Sequence, residues 1–296
     1  MITGSLVALV TPMLANGELD WQSLHDLVEF HIEHGSDGLV LLGTTGESAT
    51  LTEQERYEIL SRVVKQVNRR LPVVAGTGSN STRAAIHMTA EAKALGADAC
   101  MLVTPSYNRP TQEGLYRHFQ AVAAAVSIPL MLYNVPGRTT VDLLPETVAR
   151  LADIPTIVAV KEATGDLERA STLLEMCGDR IALFSGDDAS AVELMLMGGK
   201  GSVSVSANIA PKQIHTLCTL ACGGEAEAAR ALNSTLMPLH RALFVESNPI
   251  PAKFALHAMG LIHNGIRLPL TPLTQSGEKA VTAALHDCAL ATAQLS

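Results

Sequence analysis

Short apolar segments alternate with longer amphipathic segments along most of the chain. Eight of the apolar segments have almost no polar interruption, which is typical of parallel strands that are buried on both faces. They are residues 5–10, 38–42, 73–75, 99–103, 130–134, 156–161, 181–185 and 201–204. The pattern therefore predicts eight parallel β-strands, each followed by a helix.

The boundaries between these segments repeat in the same way. Pro72, Pro129 and Pro155 each stand at the start of a strand, and Gly35 and Gly96 each follow a predicted helix. Proline tolerates the first position of a strand, and glycine adopts the left-handed turn that ends a helix. Eight such units predict an α/β fold, a (βα)8 TIM barrel, with an open doubly wound sheet as the alternative.

The strand pattern ends near residue 224. The remaining sequence predicts helices over residues 225–245, 251–259 and 276–294. This part is rich in alanine and leucine, so its helices have apolar faces to bury. We predict a catalytic barrel over residues 1–224 and a C-terminal helical extension over 225–296 that packs on it.

Composition and charge narrow the class of protein further. Hydrophobic residues make up 47% of the 296, but only ten are aromatic (Trp 1, Tyr 4, Phe 5), so the predicted core is aliphatic. The net charge of −8 and the absence of a basic cluster argue against a nucleic-acid partner. No apolar stretch approaches the roughly 18 residues that span a membrane. We expect a soluble, cytoplasmic protein whose five scattered cysteines stay reduced.

The carboxyl ends of the strands are where a barrel carries its chemistry. Lys161 directly follows the apolar residues 157–160, and a buried amine in its neutral form attacks carbonyl groups to form Schiff bases. The alternative is a lysine that extends to the barrel rim. Tyr133 ends another strand and is a candidate general acid or base, although a buried tyrosine is more often a packed ring.

Polar loops follow several of the predicted strands. In residues 43–48 (GTTGES), Thr44 and Thr45 lie between glycines, a pattern that suits a carboxylate but also an ordinary helix-capping loop. Arg138 follows Tyr133 by five residues and suits a second carboxylate. Tyr107 lies in a proline-bounded loop, where a surface contact is the alternative. The two acidic residues of 185–188 (SGDD) are better explained as helix caps than as catalysts.

Several motifs of other enzyme classes are missing from the sequence. It has no phosphate-binding loop, no complete dinucleotide fingerprint, no nucleophile elbow and no metalloprotease motif. We therefore expect no cofactor and no metal.

Six strand-end and loop segments together carry a family resemblance. In chain order, residues 43–48 (GTTGES), 104–110 (TPSYNRP), 133–139 (YNVPGRT), 161–163 (KEA), 185–188 (SGDD) and 246–251 (ESNPIP) resemble the dihydrodipicolinate synthase family of pyruvate-dependent aldolases. The resemblance spans nearly the whole chain. It implies a (βα)8 barrel with a helical extension, usually a homotetramer. It also implies condensation of pyruvate with L-aspartate 4-semialdehyde in diaminopimelate and lysine biosynthesis.

The resemblance also assigns roles to individual residues. Lys161 would form the Schiff base with pyruvate, and Tyr133 would exchange protons in a relay with Thr44 and Tyr107, whose hydroxyl would enter the neighbouring subunit's site. The substrate-binding residues would be Thr45, Gly186 and Val203 for pyruvate and Arg138 for the carboxylate of the semialdehyde.

Two alternative functions remain at this point. A sister aldolase, such as N-acetylneuraminate lyase or a 2-keto-3-deoxy sugar-acid aldolase, would share the lysine, the tyrosine and the threonine loop. A barrel that only binds a keto acid is disfavoured because Lys161, Tyr133, Thr44 and Tyr107 are all present. Arg138 favours the short carboxylated aldehyde over a sugar.

The chain departs from the family pattern at an effector site. Lysine-inhibited members complete an interface pocket beside Ser48, Ala49 and Asn80 with imidazole, carboxylate and aromatic groups. The matching positions hold Glu53, Arg56, Ala84 and Ser106, so the carboxylate at 84 and the aromatic wall at 106 are missing. We expect weak or absent inhibition by L-lysine.

Overall fold

A computed structural model describes residues 2–290 and contains a closed barrel of eight parallel strands. Neighbours in the sequence are neighbours in the barrel, and β1 closes it by pairing with β8. The strands are β1 Gly4–Ala8, β2 Gly38–Leu41, β3 Val73–Gly76, β4 Ala99–Val103, β5 Leu130–Asn134, β6 Ile157–Glu162, β7 Ala182–Ser185 and β8 Gly201–Ser204. The predicted TIM barrel is confirmed, and the open sheet is wrong because the β1–β8 pairing leaves no edge.

The strand boundaries differ from the prediction by at most two residues. The first strand ends at Ala8 although the apolar run continues to Val10, because Val10 N donates to the side chain of Asn208 rather than to a neighbouring strand. The sixth strand extends past Lys161 to Glu162, which pairs with β5 and β7. The prediction stopped at Lys161 because the residue after it, Glu162, is charged.

Helices surround the barrel and continue beyond it. They are α1 Trp21–Glu33, α2 Glu53–Val67, α3 Thr82–Ala94, α4 Gln112–Ala125, the short α5 Pro136–Thr139, α6 Pro145–Leu151, α7 Leu167–Cys177, α8 Ala191–Leu196, α9 Pro211–Cys222, α10 Ala226–Ala242, α11 Ile250–Ala258 and α12 Gln275–Asp287. Capping side chains fix the residue at which several helices begin. For example, Thr52 and Glu55 form a reciprocal capping box at α2. No helix within residues 2–290 has the length and apolarity needed to cross a membrane.

The core has two layers, and both are aliphatic as the composition predicts. One cluster fills the barrel interior and includes Leu6, Val40, Val74, Met131 and Val203. The other lies between the outer faces of the strands and the helices. Few rings are needed because branched side chains and methionine fill a small barrel.

The C-terminal helices pack on the barrel layer. Helix α10 contacts α8 and α9, and α12 contacts α10 and α11. The last predicted helix, residues 276–294, is too long: α12 ends at Asp287, and Ala289 has a positive φ of 52° that ends the helical path. Residues 291–294 lie outside the described residues.

Candidate active site

Lys161 and Tyr133 meet inside the carboxyl end of the barrel. They are paired in register on β6 and β5, and their exposed fractions are only 5% and 6%. The ammonium nitrogen of Lys161 lies 4.2 Å from the centre of the Tyr133 ring. Among the ion pairs of residues 2–290, none involves Lys161. The amine is therefore buried, held against an aromatic ring and free of a carboxylate that would occupy it.

Gly186 provides the space beside this lysine. A Cβ atom on Gly186 would lie 2.7 Å from Cε of Lys161 and 2.6 Å from Cβ of Ala163, distances that no side chain tolerates. Its amide donates to the carbonyl of Glu162 over 2.7 Å, which fixes the close approach. Val203 is fully buried in β8 and belongs to the same interior cluster as Tyr133. Gly186 therefore lies against Lys161, and Val203 packs in the barrel interior with Tyr133.

The backbone of the threonine loop is strained near both of its ends. Leu42 and Glu47 have positive φ angles of 58° and 54°, a conformation that non-glycine residues adopt at an energetic cost and that clusters at functional sites. The loop closes through hydrogen bonds from Glu47 N to Thr44 O and from Ser48 N to Gly43 O. Thr44 is half-buried, and with Tyr133 it borders a cavity of about 50 Å³.

Asn248 is a site residue that the sequence analysis missed. Its side-chain amide donates to the Thr45 hydroxyl over 2.9 Å, and its backbone carbonyl accepts from Nη2 of Arg138 over 3.1 Å. It thereby joins both residues assigned to substrate carboxylates, although it stands 203 residues from Thr45. The only signal in the sequence was its place in the resembling segment 246–251.

A buried ion pair also holds the threonine loop, residues 43–48. Lys253 on α11 pairs with Glu47, and both side chains are almost fully buried. Burial lowers the pKa of Lys253, and the Glu47 carboxylate beside it opposes that shift. The second carboxylate oxygen of Glu47 accepts from the backbone amide of Arg267 over 3.3 Å. The C-terminal helical region is thus part of the site, which the sequence analysis did not predict.

Tyr107 does not join the other candidates within this chain. Its side chain is 91% exposed, and its φ of 71° is unusual for a bulky residue. The loop is held by Asn108, whose side-chain amide donates to Asn80 O over 2.9 Å. A tyrosine side chain exposed in this way is able to contact a second protein surface.

The two acidic residues of the SGDD segment bind backbone, as the capping interpretation suggested. Asp187 accepts from the amide and hydroxyl of Ser190 at the start of α8. Asp188, however, accepts from the amides of Val205 and Ser206 after β8 rather than from the next helix.

Residues 2–290 contain no group of three or more histidine, cysteine or acidic side chains that could hold a metal ion.

The chain is similar to known proteins over nearly its whole length. The profile of the dihydrodipicolinate synthetase family matches residues 1–288. A 4-hydroxy-tetrahydrodipicolinate synthase of Stutzerimonas stutzeri is 60% identical over 286 residues, which cover 97% of this chain and 98% of that protein. One of Pseudomonas aeruginosa is 61% identical over 274 residues, covering 93% and 94%. The chloride-inhibited dihydrodipicolinate synthase of Acinetobacter baumannii, complexed with pyruvate, superposes with a TM-score of 0.97 at 52% identity, covering 98% of this chain and all of that one. The chain belongs to the dihydrodipicolinate synthetase family.

Proposed function

We propose that this chain is a 4-hydroxy-tetrahydrodipicolinate synthase that condenses pyruvate with L-aspartate 4-semialdehyde. The observation that carries the proposal is the buried amine of Lys161, 4.2 Å from the Tyr133 ring and without an ion-pair partner among residues 2–290. The pyruvate complex of the similar Acinetobacter baumannii enzyme supports the choice of the first substrate.

The proposed reaction starts at the Lys161 nitrogen. The neutral amine attacks the keto carbon of pyruvate, and loss of water gives an iminium that withdraws electrons. Loss of a methyl proton then gives an enamine, whose carbon attacks the aldehyde carbon of the second substrate. The resulting alkoxide takes up a proton, and the amino group of the semialdehyde then attacks the iminium carbon, which closes the ring and releases the Lys161 amine. Tyr133, whose ring lies against the Lys161 nitrogen, is proposed to serve as proton donor and acceptor.

The proton relay is proposed to need a second copy of the chain. Thr44 and Tyr133 border the same small cavity, whereas Tyr107 does not line that cavity and is exposed to solvent. A hydroxyl supplied by the neighbouring subunit would complete the proton relay without adding net charge to the site. We accordingly propose a homo-oligomer, a tetramer by family resemblance.

The two substrate carboxylates are proposed to bind at separate places. Thr45, Gly186 and Val203 surround pyruvate, where Gly186 leaves room beside Lys161. Arg138 lies at the exposed mouth of the site, where its guanidinium is anchored by one hydrogen bond to Asn248 O. Its remaining N–H groups suit the carboxylate of the semialdehyde. A sister aldolase acting on sugars would need hydroxyl-matching groups at this mouth.

A direct comparison of substrates tests this proposal. We expect the purified protein to consume pyruvate and aspartate semialdehyde together, and to cleave N-acetylneuraminate at a rate lower by at least about 10²-fold. Faster cleavage of N-acetylneuraminate would identify a sister aldolase instead. The proposed cellular role is diaminopimelate and lysine biosynthesis in the cytoplasm, a reducing compartment compatible with the five free cysteines.

Weak feedback by L-lysine is a further expectation for this chain. Arg56 is half-buried, borders the cavity beside Ser48 and Thr44, and donates from Nη2 to Gly76 O over 2.8 Å. An effector ammonium at this place would meet a guanidinium rather than an imidazole, and position 84 offers no carboxylate.

The measurement is initial rate against L-lysine concentration. We expect less than about twofold inhibition at about 1 mM lysine. The variant that combines Arg56→His with Ala84→Glu is expected to be more sensitive than the wild type. Strong inhibition of the wild type at sub-millimolar lysine would contradict the expectation.

A further inference from the structure

The residues that directly follow Tyr133 and Lys161 are buried and belong to a polar cluster outside the barrel interior. We define this polar cluster as Asn134, Asp142, Glu162 and Arg169. Successive side chains of a strand point to opposite faces, so Asn134 and Glu162 point outwards where Tyr133 and Lys161 point inwards. Asn134 and Glu162 are paired in register, with exposed fractions of 0% and 2%.

Hydrogen bonds connect all four members of the polar cluster. The side-chain amide of Asn134 donates to Glu162 Oε2 over 3.1 Å and to Asp142 Oδ1 over 2.9 Å. Arg169, near the start of α7, donates from Nε to Glu162 Oε2 over 2.8 Å and from Nη1 to Asp142 Oδ2 over 3.1 Å. The ends of the two strands that carry Tyr133 and Lys161 are therefore tied to each other and to one helix.

A second set of hydrogen bonds closes a ring around the connection from β6 to α7. Glu162 Oε1 accepts from Thr164 N over 2.9 Å, and the Thr164 hydroxyl accepts from Asp166 N over 3.2 Å. Asp166 caps α7 by accepting from Arg169 N over 3.1 Å, and Arg169 returns to Glu162. The residue after Lys161 is thus fixed through both its backbone and its side chain.

The role of this arrangement is geometric rather than stabilising. The desolvation of two buried charges offsets most of their attraction, so such a pair adds little net stability. The planar guanidinium of Arg169 nevertheless fixes directions, because its N–H groups bind two carboxylates at once. We infer that the polar cluster is a positioning device that holds Lys161 in its working orientation against Tyr133.

This inference rests on the proposed Schiff-base function of Lys161 and adds residues to it. Proton transfer depends steeply on the placement of the groups, and a displacement of about 1 Å costs on the order of 10²-fold in rate. Gly186 N donates to the backbone carbonyl of Glu162, so binding of pyruvate through Thr45 and the pocket beside Gly186 does not involve the side chains of the polar cluster. Loosening the cluster should therefore lower kcat while KM for pyruvate changes little.

The test uses a variant that removes both buried charges together. Arg169→Met alone would leave the Glu162 carboxylate buried without its partner, which unfolds proteins readily. The double variant Glu162→Gln with Arg169→Met avoids this and keeps an acceptor for Thr164 N. We expect kcat to fall at least about tenfold and KM for pyruvate to change less than about threefold. Borohydride should still trap pyruvate on Lys161.

A milder variant and a control complete the experiment. Asp142→Ala removes one anchor of Arg169 at a side chain that is 39% exposed, so it should fold and lower kcat at least about threefold. Arg180→Met is the matched control, because Arg180 follows the same helix and pairs with Asp153 at the surface; its kcat should equal that of the wild type. Wild-type kcat in a folded double variant or in Asp142→Ala, or KM rising as kcat falls, would overturn the inference. Failure of the wild type to form the pyruvate adduct would instead contradict the proposed function.

Discussion

Replacement of Lys161 by methionine is expected to abolish both catalysis and covalent trapping of pyruvate. Methionine preserves the length and apolar contacts of the side chain but has no amine to attack a carbonyl. Lys161 is buried and is not in an ion pair among residues 2–290, so its loss leaves no carboxylate unpaired. We expect turnover to fall by at least about 10³-fold with little change in thermal stability.

The measurement is borohydride reduction in the presence of pyruvate, followed by peptide mass mapping. The wild type should gain the mass of one reduced pyruvate on the peptide that contains Lys161, and the Lys161→Met variant should gain none. Lys200→Met is the control, because Lys200 lies at the opposite, amino-terminal end of a barrel strand and is exposed. Labelling of another lysine, or labelling that persists in Lys161→Met, would contradict the assignment.

The second large effect is expected from Tyr107→Phe. This change removes one hydroxyl from a side chain that is 91% exposed in the single chain, so folding should be unaffected. If the hydroxyl belongs to the proton relay, turnover should fall about 10²- to 10³-fold while pyruvate still forms its adduct with Lys161. Tyr57→Phe, at a half-exposed tyrosine of α2, should leave both unchanged.

Mixing two inactive variants tests whether Tyr107 acts in the neighbouring subunit. A hybrid of a Lys161→Met subunit with a Tyr107→Phe subunit would combine one intact lysine with one intact tyrosine from its partner. Random pairing should then restore about a quarter of the sites. A tyrosine that acts within its own subunit would give no recovery. Equal loss of adduct formation and turnover in Tyr107→Phe would instead indicate a role in folding or assembly.

The eight strands and the candidate residues at their carboxyl ends were predictable because both are local features of the sequence. A buried parallel strand is a short run of apolar residues between proline or glycine boundaries, and all eight runs correspond to strands of the barrel. A barrel then directs the residues after each strand to one mouth, so Lys161 and Tyr133 were expected to meet. Their register and the 4.2 Å approach confirm that they do. Their roles in the reaction stay predictions.

Residues that support the site were not predictable in the same way. Asn248 stands in the connection between two predicted helices, Lys253 stands in an apolar predicted helix, and Glu162 reads as an ordinary charged residue beside Lys161. Nothing local shows that Asn248 binds Thr45 or that Lys253 pairs with Glu47 across 206 residues. These contacts depend on where the C-terminal helices pack.

By itself, the sequence of this protein determined the eight strands, the helices around them and the side chains at the barrel mouth. Periodicity, helix and strand boundaries and strand direction act over a few residues and can be read along the chain. The tertiary structure alone decided which polar groups are buried and with which partners. Burial of Glu47, Glu162 and Lys253 is favourable only where an opposite charge meets each of them, and that meeting is a property of the packed fold.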